Sequence, residues 1–161
     1  MSSPDRRTVL FILAALAGCG FTPAYAPNGP ATAIQGMIRA ADPIDKRGFD
    51  LVQRLEERLG RPNTARFDLT YSIATQSIGV GYTPDGAITR YNLTGQIVWS
   101  LADRTGVRVT GGTVDSFTSW SATGSTVAGL TSEEDAGLRL MRLLADQIVM
   151  RLLATSGTWA T

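Results

Sequence analysis

The chain has 161 residues and 43 % hydrophobic content, enough for one packed domain and too much for wholesale disorder. It contains no histidine and one cysteine, which excludes histidine-based triads, His or paired-Cys metal sites and an intrachain disulfide. The formal charge of +1 falls to near neutrality once Asp5, Arg6 and Arg7 of the leader are set aside, so nothing argues for nucleic-acid binding.

Met1 to Arg7 is short and basic, Val9 to Ala17 is apolar and uncharged, and small residues follow at Ala17 and Gly18. That order is a secretory signal over residues 1–18. Its apolar run is about half the roughly 20 residues a membrane-spanning helix needs, so it reads as removable. Leu16-Ala17-Gly18-Cys19 matches the lipobox of bacterial lipoproteins. The match implies that Leu16, Ala17 and Gly18 are read by the signal peptidase. It also implies that Cys19 carries a diacylglyceryl group, with a further acyl chain on the new N-terminus in many bacteria. Gly20 stands where aspartate would favour inner-membrane retention, which points to the outer membrane. The Arg6-Arg7 pair leaves the general and twin-arginine export routes both open.

Residues 19–30 are rich in proline and glycine and form a lipidated tether. Phe21 and Tyr25 within it either dock on a surface or ride on a plain spacer. Ala33–Ala40 is a candidate strand, ended by Asp42-Pro43. Asp45 to Leu59 has helical spacing, with Phe49, Val52, Leu55 and Leu59 as its apolar stripe and Gly60 and Pro62 as its stop.

Arg66 to Ile73 alternates Phe67, Leu69, Tyr71 and Ile73 with polar residues, the pattern of a strand with one wet face. Ile78, Val80 and Tyr82 resume the alternation with opposite parity, which predicts a bulge between Ala74 and Ser77. Turns at Thr83-Pro84-Asp85-Gly86 and Asp103-Arg104-Thr105-Gly106 separate two further strands and complete an antiparallel meander. Thr118–Gly129 reads as a mobile loop. Thr131 and Glu134 then form a candidate capping box for a helix to about Ala154. Its stripe is Ala136, Leu140, Leu144, Ile148 and Leu152, widened by Met141, Ala145 and Val149.

The order β-α-β-β-β-α predicts an α+β two-layer sandwich. A four-stranded, mostly antiparallel sheet carries two helices on one face, in a domain over 31–155 with a tail at 156–161. The place of the first strand in the sheet stays open. No catalytic set appears: serines and threonines lack a histidine base, and Gly79-Val80-Gly81 and Gly111-Gly112 lack the context of phosphate loops. The acidic run Glu133–Asp135 reads more simply as a solvated helix start than as a cation site. Trp99 falls on the inward face, whereas Trp120 and Trp159 are candidates for an interface. The polar Thr, Ser, Asn and Gln face of the sheet suggests a wet contact surface.

Cys19-Gly20-Phe21-Thr22-Pro23-Ala24-Tyr25 resembles the start of mature lipopolysaccharide-assembly lipoproteins of the LptE family, in particular the alphaproteobacterial ones. Leu51, Leu55, Glu56 and Leu59-Gly60 resemble that family's first helix, and the stripe from Ala136 to Leu152 its last. The resemblance implies a small sheet with two helices, no enzymatic activity and no cofactor beyond the lipid on Cys19. It implies an outer-membrane protein that plugs the β-barrel LptD, helps assemble it, and so serves lipopolysaccharide insertion into the outer leaflet. No lipopolysaccharide-binding residue carries over; Arg66, Arg90, Arg104 and Arg108 could meet lipid phosphates, though surface solvation explains each. The alternatives are an accessory lipoprotein of an ABC-type lipid transporter and a lipid-anchored structural module with neither partner.

Overall fold

The computed structural model describes residues 29–122 and 126–160. The signal at 1–18, the lipobox with Cys19, and the tether up to Asn28 lie outside the described residues.

Pro30 occupies the first turn of a short helix, α1 (Pro30–Ile34), where its fixed φ is already helical and its missing N–H costs nothing. Gly36, at φ +71°, then reverses the chain, so the first strand shrinks to β1 (Ile38–Ala40). The strand expected over Ala33–Ala40 therefore keeps only its last three residues, with Ala33 and Ile34 ending the helix that Pro30 starts. The second helix, α2 (Lys46–Leu59), is capped by Asp45, whose carboxylate accepts from the Gly48 N–H at 2.7 Å. Gly60 ends it at φ +79°. Its inward stripe is Gly48, Leu51, Leu55 and Leu59; Phe49, expected inside, is 58 % exposed.

Strands β2 (Phe67–Tyr82), β3 (Ile88–Asp103) and β4 (Arg108–Ser121) are long and antiparallel. The sheet order is β1-β2-β3-β4, and β1 lies parallel to β2 with Ile38 opposite Phe67. A parallel pair needs a crossover, and α2 supplies it. This settles the place of the first strand: at the edge, beside the start of β2. The ladder between β2 and β3 runs unbroken from Phe67 to Gly79 and shifts only between Gly79 and Tyr82. The expected bulge at Ala74–Ser77 is absent. The change of parity instead turns Ile78, Val80 and Tyr82 outward to solvent.

The last helix, α3 (Thr126–Thr155), is followed by a 3-10 turn, Ser156–Thr158. It starts five residues before the expected cap. Thr131 and Ser132 lie inside it and return their hydroxyls to the carbonyls of Val127 and Ala128 at 3.1 and 2.8 Å. The capping box is therefore not used, and Glu133–Asp135 sit past the first turn. Most of the expected loop Thr118–Gly129 is regular structure: Thr118–Ser121 end β4 and Thr126–Gly129 begin α3.

The core lies between the sheet and the two long helices. Ala136, Leu140, Met141, Leu144, Ala145, Ile148, Val149 and Leu152 of α3 have no exposed surface. They meet Leu69, Leu93, Ile97, Trp99, Leu101 and Val114 of the sheet, each large side chain contributing about 1.5–3 kcal/mol on burial. The approach is close at Gly95, where an added Cβ would stand 2.9 Å from Leu140 Cδ2 and 3.1 Å from Leu144 Cδ1. The helices are joined at their wet rim by Arg54, which donates Nε and Nη2 to the Asp146 carboxylate at 3.1 and 3.0 Å. Those bonds, more than any other contact, raise the Arg54 pKa. Being partly exposed, the pair contributes about 1 kcal/mol or less.

The turn joining β3 to β4 is organised by Asp103. Its Oδ1 accepts from the Thr105 hydroxyl at 2.6 Å and from the Thr105 and Val107 amides at 2.9 and 3.0 Å. Gly106 holds φ +86° there.

Replacing Gly95 by valine overpacks this seam and is expected to destabilise the domain by about 1–3 kcal/mol in denaturant titration. Gly129→Ala, in a helical position with open space around it, is expected to stabilise by about 0.4–1 kcal/mol. Equal effects at the two sites would contradict the packing. The Thr105 hydroxyl is the main cause holding Asp103 below the usual carboxylate range. A depressed carboxylate stabilises the fold above its unfolded pKa, and that contribution is lost as pH falls through the lowered value. In Thr105→Val the Asp103 midpoint read by NMR should rise; an unmoved midpoint would assign the shift elsewhere.

Candidate functional site

Because the helices cover one face of the sheet, the other face is bare. The even-numbered residues of β2 and β3 build it: Thr70, Ser72, Ala74 and Gln76 stand beside Ser100, Val98, Gln96 and Thr94 in register. Phe117 and Asp115 of β4 extend the same rows. An open hollow of about 680 Å³ lies across Ala74, Gln76, Thr94, Gln96, Asp115 and Phe117. Such a surface is mostly hydroxyls and amides with scattered apolar side chains, suited to a wet and non-obligate contact. Val98 and Phe117 are exposed apolar side chains on this largely polar face.

The three tryptophans are all inside. Trp99 is 2 % exposed, as its inward position predicted. Trp120 and Trp159, expected at an interface, are 8 % and 9 % exposed and belong to the core. Trp120 stacks on Tyr91 with centroids 5.0 Å apart. Trp159 meets Phe67 edge to face at the same separation, and its Nε1 donates to the Thr155 hydroxyl at 3.1 Å. A lone tryptophan in a Ser/Thr-rich segment or a tail carries no sign of the partner ring that buries it. Sequence alone therefore leaves their burial hidden.

Arg66, Arg104 and Arg108 gather at the end of the sheet where β2 starts and β3 turns into β4, while Arg90 lies at the far end. Arg104 Nε donates to the Ala65 carbonyl at 2.9 Å, and the Arg66 guanidinium lies 5.8 Å above the Phe67 ring. Two of the four therefore have structural employment.

Gly111 is a close backbone approach, where a Cβ would stand 2.7 Å from the Trp99 carbonyl oxygen, whereas a Cβ on Gly79 or Gly81 would first meet side chains, Ile88 at 3.0 Å and the Thr89 hydroxyl at 2.7 Å. A cleft of about 220 Å³ between α2 and α3 brings Lys46, Arg47 and Asp50 opposite Glu133 and Glu134. Asp50, buried, is held by Lys46 at 3.1 Å. Among the described residues no group of three or more His, Cys, Asp or Glu could hold a metal ion. The Tyr71 hydroxyl under the first turn of α2 is buried, and its pKa is raised, first by desolvation and then by Asp45 and Asp42.

Among the described residues no helix is long and apolar enough to cross a membrane.

Comparison with solved structures finds the same architecture in bacterial lipoproteins. A protein designated a lipoprotein in Caulobacter crescentus aligns with a TM-score of 0.68 at 20 % identity, over 80 % of this chain and 96 % of its own. The rare lipoprotein B of Shewanella oneidensis aligns at 0.59 and 12 % identity, over 77 % and 97 %. The minor lipoprotein of Acinetobacter baumannii aligns at 0.55 and 16 %, over 73 % and 89 %. At such identities the likeness is one of fold. No curated protein sequence matches the chain. The family model described as LptE, lipopolysaccharide-assembly, matches residues 38–152, from β1 to the last turns of α3. Members of that family are non-enzymatic structural assembly factors. The chain belongs to the LptE family of lipopolysaccharide-assembly proteins.

Proposed function

We propose that this protein is a lipid-anchored plug of the outer-membrane barrel LptD, needed for the barrel's assembly and so for lipopolysaccharide insertion into the outer leaflet. The observation that carries the reading is the bare sheet face of Thr70, Ser72, Gln76, Thr94 and Gln96, backed by a single layer of helices. The lumen of a large barrel is polar, and a plug must offer it a hydrophilic wall without unpaired ladder groups at its centre. Family membership supports the same partner.

Anchoring falls to Cys19 after cleavage behind Leu16-Ala17-Gly18. One acyl chain holds a protein only reversibly; two or three, at about 0.8 kcal/mol per buried methylene, hold it lastingly. The basic end formed by Arg66, Arg104 and Arg108 gives lipid phosphates a place to meet the plug.

Depleting the protein should lower the amount of correctly assembled barrel several-fold, as read by heat-modifiable mobility of membrane fractions. Cys19→Ser should abolish palmitate incorporation. Affinity isolation in mild detergent should retrieve the barrel. Unchanged barrel levels with intact surface lipopolysaccharide would contradict the proposal, and retrieval of a transporter ATPase and permease would replace it with the transporter reading.

A further inference from the structure

The two edges of the sheet are treated differently. The Ser119 and Asp115 carbonyls on the outer edge of β4 are capped by Arg139 Nη2 at 3.3 Å and Gln147 Nε2 at 3.0 Å, both from α3. That edge also carries charges at Arg108 and Asp115. Capping and charge are the usual means by which proteins keep an edge from pairing with a stranger.

Between Tyr71 and Ser77 the edge of β2 has neither. Phe67 N–H donates to the Met37 carbonyl at 3.1 Å, and the Leu69 carbonyl accepts Ala41 N–H at 2.8 Å, so odd-numbered residues of β2 aim their backbone groups away from β3. β1 stops at Ala40. Tyr71, Ile73, Thr75 and Ser77 continue in phase, and among the described residues no hydrogen bond occupies those outward groups. The run closes at Gly79, whose carbonyl accepts the Tyr82 hydroxyl at 3.0 Å. From Leu69 to Pro84 there is no charged residue, and β2 itself contains no proline. About 23 Å of strand edge is thus open, at roughly 3.3 Å per residue. Near its start the first turn of α2 overlies Tyr71, with Ile44 and Phe49 beside that turn 99 % and 58 % exposed.

From this asymmetry we infer that the β2 edge from Tyr71 to Ser77 is a strand-docking site, and that its occupant is an extended, largely uncharged segment of the barrel partner, added in the lane that β1 leaves empty. The inference rests on the plug reading. A closed barrel wall has no free edge of its own, so the segment comes from a loop or plug region of that chain. The protein's own tether is a poorer occupant, because Pro23 and Pro27 lack an N–H and confine it to pairing through the residues of opposite phase between them. A second copy of this chain is excluded from the same lumen if the plug reading holds.

The test uses the full chain with its barrel. Thr75→Pro deletes an outward N–H and spares the ladder to β3; Val127→Pro, in the first turn of α3 where proline costs no helical hydrogen bond and off the sheet, serves as the control. Recovery of the barrel complex should fall at least about tenfold for Thr75→Pro and stay near wild type for Val127→Pro. Equal recovery of both would overturn the inference. Should Thr75→Pro fail to fold, amide exchange of the wild-type protein decides. The amides of Tyr71, Ile73, Thr75 and Ser77 should exchange freely in the isolated protein and slow by on the order of a hundredfold in the complex. Unchanged exchange in a complex that does form would overturn strand docking alone. Failure of the wild type to capture the barrel would overturn the plug reading instead. Concentration-dependent protection without the barrel would assign the edge to a second copy and contradict the inference.

Discussion

The structure depends on one seam, where α3 lies along the sheet closely enough that a Cβ at Gly95 of β3 would press on Leu140 and Leu144. A helix of 30 residues is about 45 Å long at 1.5 Å per residue, close to the span of the 16-residue strands beneath it. Its fully buried positions from Ala136 to Leu152 recur as pairs four apart, a stripe wide enough to meet both the sheet and α2. The Thr118 hydroxyl, buried, donates to the Ala136 carbonyl at 2.9 Å and fixes where along β4 that helix begins to pack.

What the seam leaves uncovered follows from lengths. Helix α2 has 14 residues, about 21 Å, and β1 has three. Together they cover only the first part of β2, and the remaining strand pairs on one side alone. The far end of the β2–β3 hairpin turns Ile78, Val80 and Tyr82 to solvent, while Tyr91 and Trp120 stack on the helix side. A protein meant to stand alone would guard such an edge; one that is enclosed by a larger partner has its edge guarded by the enclosure.

Much of this arrangement can be read from residue order. The α3 stripe was legible because eight apolar residues keep a four-residue step through polar neighbours. Asp45 and Gly60 marked the ends of α2 through capping chemistry that needs no tertiary contact. The start of β2 was legible through strict alternation. Where reading failed, two local signals competed and packing chose between them. Phe49 and Leu51 are both apolar, and only the sheet beneath decides which points inward. At Ile78 a change of parity has two solutions, a bulge or an exposed apolar face, and the unbroken ladder took the second. Thr131 and Glu134 have capping spacing, yet helical residues before them extend the helix past that point. The candidate site was visible only as a polar strand face. The unequal protection of the two edges was not, since it depends on Arg139 and Gln147 reaching across from another element.

The central claim is that the bare sheet face lies inside the partner barrel. A cysteine placed at Gln96, in the middle of that face, tests it through maleimide labelling of detergent-extracted membranes. The account predicts strong labelling when the lipoprotein is expressed without its barrel and protection when the two are produced together. Equal labelling in both preparations, with the complex intact, would contradict it.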